Sequence, residues 1–135
     1  MSRLLRATPQ FSVADVERAA RFYRDVLGFR IAGFWDGEEA TPEPNGSPVF
    51  AIVVRDDVQL FFSRAGENIN RDRAEGAYDV YFAISGVDEF AEQIRAKGAE
   101  ILDGPEDRVY GQREVVVRDC NGLILTFGEE IAVSA

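Results

Sequence analysis

The sequence predicts an α+β fold made of two copies of one unit, each with the order strand, helix, strand, strand, strand. Two stretches have the apolar spacing of an amphipathic helix, and they begin about 71 residues apart, at Val16 and Val87. The tetrapeptide Val-Val-Arg-Asp occurs at 53–56 and again at 116–119, each time before a predicted hairpin turn. Internal duplication of this kind is the strongest organisational signal in the chain.

The first half is predicted to hold one helix and four strands. Asp15 suits the N-cap of the helix, and Gly28 suits a left-handed stop after it. Residues 36–48 contain three prolines, two glycines and four acidic residues, which predicts a loop. The apolar face of the helix comprises residues 16, 19, 20, 23, 26 and 27. The four strands are predicted at 7–12, 29–35, 49–54 and 58–63.

The second half repeats this pattern. A strand is predicted at 78–85, and Ser85 with Asp88 matches a capping box for a helix that Gly98 ends. A brief strand at 101–102 precedes a predicted turn at 104–107. The last hairpin joins strands at 114–118 and 123–127 around Asn-Gly at 121–122, which is a strong turn signal.

The chain length of 135 residues fits one domain. We divide it into module one at about 4–64, a polar linker at 65–76 and module two at about 77–128. Each half has a single helix to cover its sheet. Each half therefore needs the other half, or a second chain, to complete its core.

The charge and cysteine content limit the class of partner. With 15 basic and 24 acidic residues the net charge is −9, which disfavours binding to nucleic acid or to anionic membranes. No apolar run approaches the roughly 20 residues that a membrane span needs, and the first residues do not resemble a signal peptide. Cys120 is the single cysteine and excludes an intrachain disulfide, so we expect a cytoplasmic protein.

The absence of histidine from the sequence excludes several chemistries. Neither a Ser–His nor a Cys–His pair is possible, and neither is a metal site built on imidazole. A metal site would have to use carboxylates and neutral oxygens, which suit magnesium, calcium or manganese.

Alternation along the strands separates two faces of each predicted sheet. One face is strongly apolar and should pack on the helices, while the other is small, polar or aromatic. Phe61, Tyr81 and Ile124 fall on the second face and are poor choices for a surface that meets only water. The pattern favours a ligand pocket, although plain solvent exposure of an antiparallel sheet is the alternative.

Two stretches carry a family resemblance that extends over about residues 4–127. Residues 13–29 (VADVERAARFYRDVLGF) resemble the first-helix signature of the vicinal oxygen chelate superfamily. That superfamily includes glyoxalase I, extradiol dioxygenases, fosfomycin-resistance enzymes and bleomycin-resistance proteins. Residues 110–114 with 117–122 resemble the motif before its last strand, although Cys120 and Asn121 replace two members of the usual Asp-Pro-Asp-Gly turn.

The resemblance implies two modules whose curled mixed sheets enclose a shared cleft, and it implies a homodimer. It also places the four metal-ligand positions of the family's metalloenzymes at Thr8, Phe61, Asp79 and Thr126. One carboxylate among these four does not hold a catalytic divalent ion. We therefore expect neither a metal, a cofactor nor a catalytic residue here, and the sequence is closest in character to the metal-free bleomycin-resistance branch.

The function expected from this branch is sequestration of a hydrophobic or cationic small molecule, such as an antibiotic, in the cleft. Aromatic side chains would stack on the ligand and carboxylates would complement its charge. Phe34 and the acidic residues Asp36, Glu38 and Glu39 of the loop are further candidates for these two roles. The residues expected to bind the ligand are Thr8, Gln10, Trp35, Gln59, Phe61, Asp79, Tyr81, Tyr110 and Thr126.

Two other classes of function stay open. The chain could be a lyase, isomerase or dioxygenase-type enzyme of the same superfamily with a non-standard site, in which Asp79 acts as the base and Tyr81 or Tyr110 as the proton donor. It could also be a regulatory or structural dimer whose cleft is filled by its own side chains.

Overall fold

The computed structural model of the chain describes residues 1–36, 40–41, 44, 46–65 and 78–132. These residues form two helices and nine strands in two mixed sheets. The chain divides into two compact units, Met1–Arg71 and Asp72–Ala135. The predicted α+β class with two modules of like topology is therefore confirmed. Neither helix of the described residues has the length and apolar character needed to cross a lipid bilayer.

The first unit is a five-stranded sheet covered by one helix. Its strands run in the order β1-β5-β4-β2-β3, with β1 parallel to β5 and the other neighbours antiparallel. The elements of this unit are β1 Gln10–Val13, α1 Val16–Asp25, β2 Arg30–Trp35, β3 Ala40–Thr41, β4 Phe50–Arg55 and β5 Val58–Arg64.

Helix α1 begins and packs as the sequence predicts. The Asp15 side chain accepts a hydrogen bond from the Arg18 amide at 3.0 Å, and Gly28 adopts a φ of +80° after the helix. The apolar face buries Tyr23, whose ring centre lies 4.9 Å from that of Phe62 in β5. This contact directs the helix to one face of the sheet and leaves the opposite face without a helix.

The second unit is a four-stranded sheet with one helix. Its strands run in the order β6-β9-β8-β7, with β6 parallel to β9 and the other neighbours antiparallel. Phe127 stacks on Phe82 at 4.7 Å and contacts Phe90 of the helix at 4.5 Å. The elements of this unit are β6 Val80–Ala83, α2 Val87–Ala96, β7 Glu100–Asp107, β8 Gln112–Arg118 and β9 Ile124–Glu130.

The predicted capping box of Ser85 with Asp88 is wrong. Gly86 occupies the N-cap of α2 with a φ of +78°, and no side chain from the helix's own first turn caps it. The cap comes instead from Glu129 in β9, whose carboxylate accepts the Gly86 and Val87 amides at 2.8 and 3.1 Å. These two backbone hydrogen bonds hold the pKa of Glu129 below its usual range.

Strand β7 is longer than predicted. The turn predicted at 104–107 is wrong, because β7 is one strand that continues to Asp107. Its pairing with β8 shifts twice, between Ile101 and Asp103 and between Asp103 and Glu106. Gly104 and Pro105 therefore lie at a bulge, where extra residues are accommodated before pairing resumes.

The loop between β2 and β4 also contains a short paired segment. Residues 36–48 were predicted to be a loop throughout, but Ala40–Thr41 pairs with Phe34 and Trp35 as β3. Glu38 and Glu39 lie outside the described residues, and so does the predicted linker apart from Ala65.

Candidate functional site

A pocket of about 490 Å³ lies in the second unit. The pairing of three strands forms this pocket. Tyr81 in β6 lies beside Thr126 in β9, and Thr126 pairs with Val116 in β8. Side chains at these positions point to the same face of the sheet. The pocket brings together four of the residues expected to bind a ligand: Asp79, Tyr81, Tyr110 and Thr126.

Three tyrosines give the pocket its aromatic surface. Tyr78 and Tyr110 are each 63% exposed, and Tyr81 is 49% exposed. Tyrosine rings that remain this open can stack on a planar ligand or face a cation. The second unit therefore offers an exposed aromatic surface.

A buried glutamate lies at the base of the pocket. Glu114 is only 4% exposed, and its Oε1 accepts hydrogen bonds from the Tyr110 hydroxyl at 2.7 Å and from Arg108 Nε at 3.2 Å. Its Oε2 is buried and has no hydrogen-bond partner in the described part of the chain. A buried carboxylate oxygen without a donor is costly and calls for a functional explanation.

The environment keeps Glu114 ionised. Burial alone would raise its pKa, but the hydrogen bonds from Tyr110 and Arg108, together with the adjacent Tyr81 hydroxyl, outweigh burial and lower the pKa below its usual range. Hydrogen bonds to Asp103 and Glu114 in turn raise the pKa of Arg108. The site therefore contains a fixed carboxylate and a fixed guanidinium at neutral pH.

Arg108 shares its charge among three carboxylates. Its guanidinium lies 2.6 Å from Asp103, 3.1 Å from Glu106 and 3.2 Å from Glu114. The charged residues that line the pocket are Asp79, Asp103 and Glu114 against Arg108, which gives a formal charge of −2. The pocket therefore has a negative potential that favours a cationic group.

Tyr81 lies next to Glu114. Its hydroxyl donates to Gln112 Oε1 at 3.2 Å and rests over Gly128, where a Cβ atom would overlap the hydroxyl oxygen. Burial and the neighbouring Glu114 raise the pKa of Tyr81 to about 12. The hydroxyl is therefore neutral over the physiological range.

We expect alkaline titration to reveal Tyr81 as a late-ionising tyrosine. The raised pKa means that Tyr81 favours the folded state below pH 10.0, and this contribution is lost as the pH rises towards about 12. Absorbance of tyrosinate should show a step near pH 12 that decreases by the amplitude of one tyrosine in Tyr81→Phe. Persistence of the full step in Tyr81→Phe would contradict the assignment.

Sequence reasoning did not select Glu114, because alternation cannot be followed reliably across Gly111. The predicted hairpin strands, 114–118 and 123–127, would pair Glu114 with Phe127 and place it on the opposite face. In the structure Arg118 pairs with Ile124, so Glu114 pairs with Gly128 and lies on the same face as Tyr81.

The first unit carries an aromatic row on the face without a helix. The Trp35 and Phe50 ring centres lie 5.6 Å apart, and those of Phe50 and Phe61 lie 5.2 Å apart. Gln10 lies beside Phe61 at the edge of the sheet and donates to Ser63 Oγ at 2.6 Å. This row therefore combines half-exposed rings with polar groups, as alternation predicted.

The other predicted residues of the first unit differ in position. Gln59 is half-exposed and two residues before Phe61 in β5, so it shares the face of the aromatic row. Thr8 precedes β1 and is half-exposed. Phe34 was a stacking candidate, but it is buried in the core of the unit and is unavailable to a ligand. The cleft shared by the two units stays a prediction.

The four metal-ligand positions of the family do not fit a metal in this chain. Phe61 has no donor atom, and Asp79 Oδ2 accepts the Ile124 amide at 2.8 Å. Thr126 is buried and offers only a neutral hydroxyl. In the ranges that the structure describes, no group of three or more Asp, Glu, Cys or His side chains could hold a metal ion.

Comparison with known families defines the class of this protein. The family model described as Glyoxalase/Bleomycin resistance protein/Dioxygenase superfamily matches residues 5–127. The chain belongs to this superfamily, which confirms the resemblance predicted from residues 13–29 and 110–122. No curated protein sequence gives a significant match.

Several solved structures share the fold. TioX from Micromonospora sp. ML1 is 25% identical with a TM-score of 0.70, and the match covers 93% of this chain and 99% of TioX. The bleomycin-binding protein of bleomycin-producing Streptomyces verticillus, solved with copper(II)-bleomycin, is 23% identical with a TM-score of 0.67 and coverage of 99% and 100%. TnmS3, an antibiotic binding protein from Streptomyces sp. CB03234, is 16% identical with a TM-score of 0.66 and coverage of 96% and 99%.

Proposed function

We propose that this protein binds and sequesters a small molecule with a hydrophobic or cationic body, such as an antibiotic, without using a metal. The observation that carries the proposal is the pocket of about 490 Å³ in the second unit, with three open tyrosine rings and an acidic lining. Pockets of this size accommodate drug-sized ligands. The proposal includes the residues expected from the sequence, namely Asp79, Tyr81, Tyr110 and Thr126 in this pocket, with Thr8, Gln10, Trp35, Gln59 and Phe61 in the first unit.

The chemistry of the pocket suits binding better than proton transfer. A general acid or base works best when its pKa lies near the working pH. Here the pKa of Glu114 is lowered, that of Tyr81 is raised by burial and by the neighbouring Glu114, and that of Tyr110 is raised by its hydrogen bond to Glu114. These pKa shifts keep Glu114 ionised and both tyrosines protonated at neutral pH. They therefore oppose the role of proton donor that the enzyme alternative gives to Tyr81 or Tyr110.

The related structures support the same proposal. One of the fold relatives holds copper(II)-bleomycin, and another is described as an antibiotic binding protein. The proposal also includes a homodimer, which the family resemblance implies. It includes a cytoplasmic location, because a single cysteine fits a reducing compartment.

The test is a calorimetric titration with a panel of cationic aromatic antibiotics, bleomycin included, in buffer with and without EDTA. We expect saturable binding with micromolar or tighter affinity that EDTA does not change. Trp35 fluorescence is recorded in parallel, since the single tryptophan reports on the first unit.

A pair of variants locates the binding site. Tyr78→Ala removes an open ring of the pocket and should weaken binding roughly tenfold, because an aromatic contact is lost together with its buried area. Val109→Ala truncates a fully exposed side chain that does not line the pocket and should leave affinity unchanged. Equal affinities of the two variants, or binding that requires a divalent metal, would contradict the proposal.

A further inference from the structure

We propose that Glu114 is the anchor for a cationic N–H donor of the ligand, an amidinium or ammonium group, and that the Tyr81 hydroxyl occupies the place this donor takes. The inference rests on the proposed function, since it names the chemical group that the pocket of the second unit selects. Three features of the described residues carry it: the count of donors around Glu114, the charge of the lining and the way in which Tyr81 is held.

The base of the pocket has fewer hydrogen-bond donors than its acceptor oxygens require. Among the residues that the structure describes, Glu114 Oε1 has two donors, whereas the buried Oε2 has none. Tyr81 carries one hydroxyl proton and donates it to Gln112 Oε1, so two acceptors compete for one proton. Rotating the Gln112 amide would let Tyr81 donate to Glu114 instead. In that second arrangement the Tyr81 hydroxyl serves Glu114, its neighbour in the pocket.

The shortage of donors defines the ligand chemistry. A ligand N–H would supply the missing hydrogen bond to Oε2, and a bond between ionised partners is about twice as strong as one between neutral partners. A ligand carboxylate or carbonyl would add a further acceptor beside Glu114 and would be rejected. Arg108 does not neutralise the site, because it is shared with Asp103 and Glu106 and leaves a lining charge of −2.

Tyr81 is held in a way that permits its displacement. Half of its surface is exposed, and its hydroxyl end rests over Gly128. Gly128 does not have a positive φ, so its backbone conformation would accept alanine. Glycine is needed at this position because the Tyr81 hydroxyl fills the space where a Cβ atom would lie. An incoming cation can therefore take the position of the hydroxyl while the Tyr78 and Tyr110 rings flank its aromatic body.

The first experiment compares three probes of one shape and different charge: benzamidine, benzamide and benzoate. Binding is followed at neutral pH by calorimetry and by NMR shifts of the Glu114 and Gly128 amides. We expect benzamidine to bind, benzamide to bind at least about tenfold more weakly and benzoate not to bind. Equal affinity for benzamidine and benzoate would overturn the inference.

Two charge variants test the anchor. Glu114→Gln removes the charge and should weaken benzamidine binding by about tenfold or more. Glu106→Gln is the matched control, because it removes a carboxylate from the same Arg108 but is exposed and does not line the pocket. We expect it to change affinity less than about twofold. Undiminished benzamidine binding by a folded Glu114→Gln protein would overturn the inference.

Tyr81→Phe tests the displacement and remains informative even if Glu114→Gln fails to fold. It keeps the ring and removes the competing hydroxyl, so benzamidine should bind several-fold more tightly than to the wild-type protein. A Tyr81 that only packs against the sheet would leave the affinity unchanged, and this result would overturn the displacement.

The antibiotic panel distinguishes failure of this inference from failure of the proposed function. If antibiotics bind but benzamidine does not, the anchor is wrong and the binding function survives. If neither the antibiotics nor benzamidine binds, both proposals are overturned. If both the antibiotics and benzamidine bind and Glu114→Gln weakens the binding of both, Glu114 anchors the antibiotics as well.

Discussion

Gly104→Ala is expected to destabilise the second unit more than any other single substitution considered for this chain, by about 3–4 kcal/mol. Gly104 has a φ of +84°, which alanine adopts only with strain. A Cβ atom there would also collide with the Glu114 carbonyl oxygen and lie 3.1 Å from the Glu106 amide nitrogen. Both are backbone atoms of the β7–β8 pair, so neither can move aside without loss of pairing beneath the pocket. Urea unfolding measures the effect.

Gly98→Ala is the matched control for this prediction. Gly98 has nearly the same φ, +87°, but a Cβ atom there would meet no heavy atom of the described residues within 4 Å. Only the backbone strain remains, so we expect a cost of about 1–2 kcal/mol. Equal losses in the two variants would show that the collision with Glu114 is relieved by a small shift of the chain. Ligand binding should persist in Gly98→Ala and be lost in Gly104→Ala.

Asp119→Ala should cost about 2–3 kcal/mol, because it leaves amide groups of the last hairpin without an acceptor. The buried Asp119 carboxylate accepts the Asn121 and Leu123 amides at 2.8 and 2.9 Å. Alanine offers no acceptor, and the Leu123 amide is buried where water cannot easily replace the lost bond. Thermal or urea unfolding of the variant checks this loss.

The duplicated tetrapeptide supplies the control. Asp56 ends the first copy as Asp119 ends the second, yet Asp56 is exposed and has a φ of +52°. Asp56→Gly relieves this left-handed conformation, so we expect a stability change between zero and a gain of about 1 kcal/mol. A loss of stability as large as that of Asp119→Ala would contradict this prediction. It would mean that both aspartates stabilise their hairpins equally despite their different surroundings.

Local features were predictable from the sequence. The apolar face of α1, its Asp15 cap and the Asn-Gly hairpin depend on residues within a few positions of one another, and the structure confirms each of them. Alternation in β6 and β9 also placed Tyr81 and Thr126 on one face, where they line the same pocket. The superfamily followed from two short motifs at the ends of the chain.

Features that depend on distant pairing were not predictable. The Glu129 cap joins positions more than forty residues apart, and the sequence near either position does not indicate it. The continuity of β7 through Gly104 depends on β8, which supplies the pairing partners beyond the bulge. Glu114 was missed for the same reason, because its place in the pocket is set by register with Gly128 and not by its neighbours in sequence.

The Glu129 cap has a consequence for the order in which the two halves fold during translation. Asp15 caps α1 from three residues away, so this helix can form its first turn as soon as it leaves the ribosome. Helix α2 receives its cap from β9, and β6 has β9 as its neighbour in the sheet, so both wait for the last strand to emerge. Two halves of like topology thus complete at different times, the first before the second. Pulse-labelled hydrogen exchange on stalled chains would show protected amides in α1 before those in α2, and simultaneous protection would refute this order.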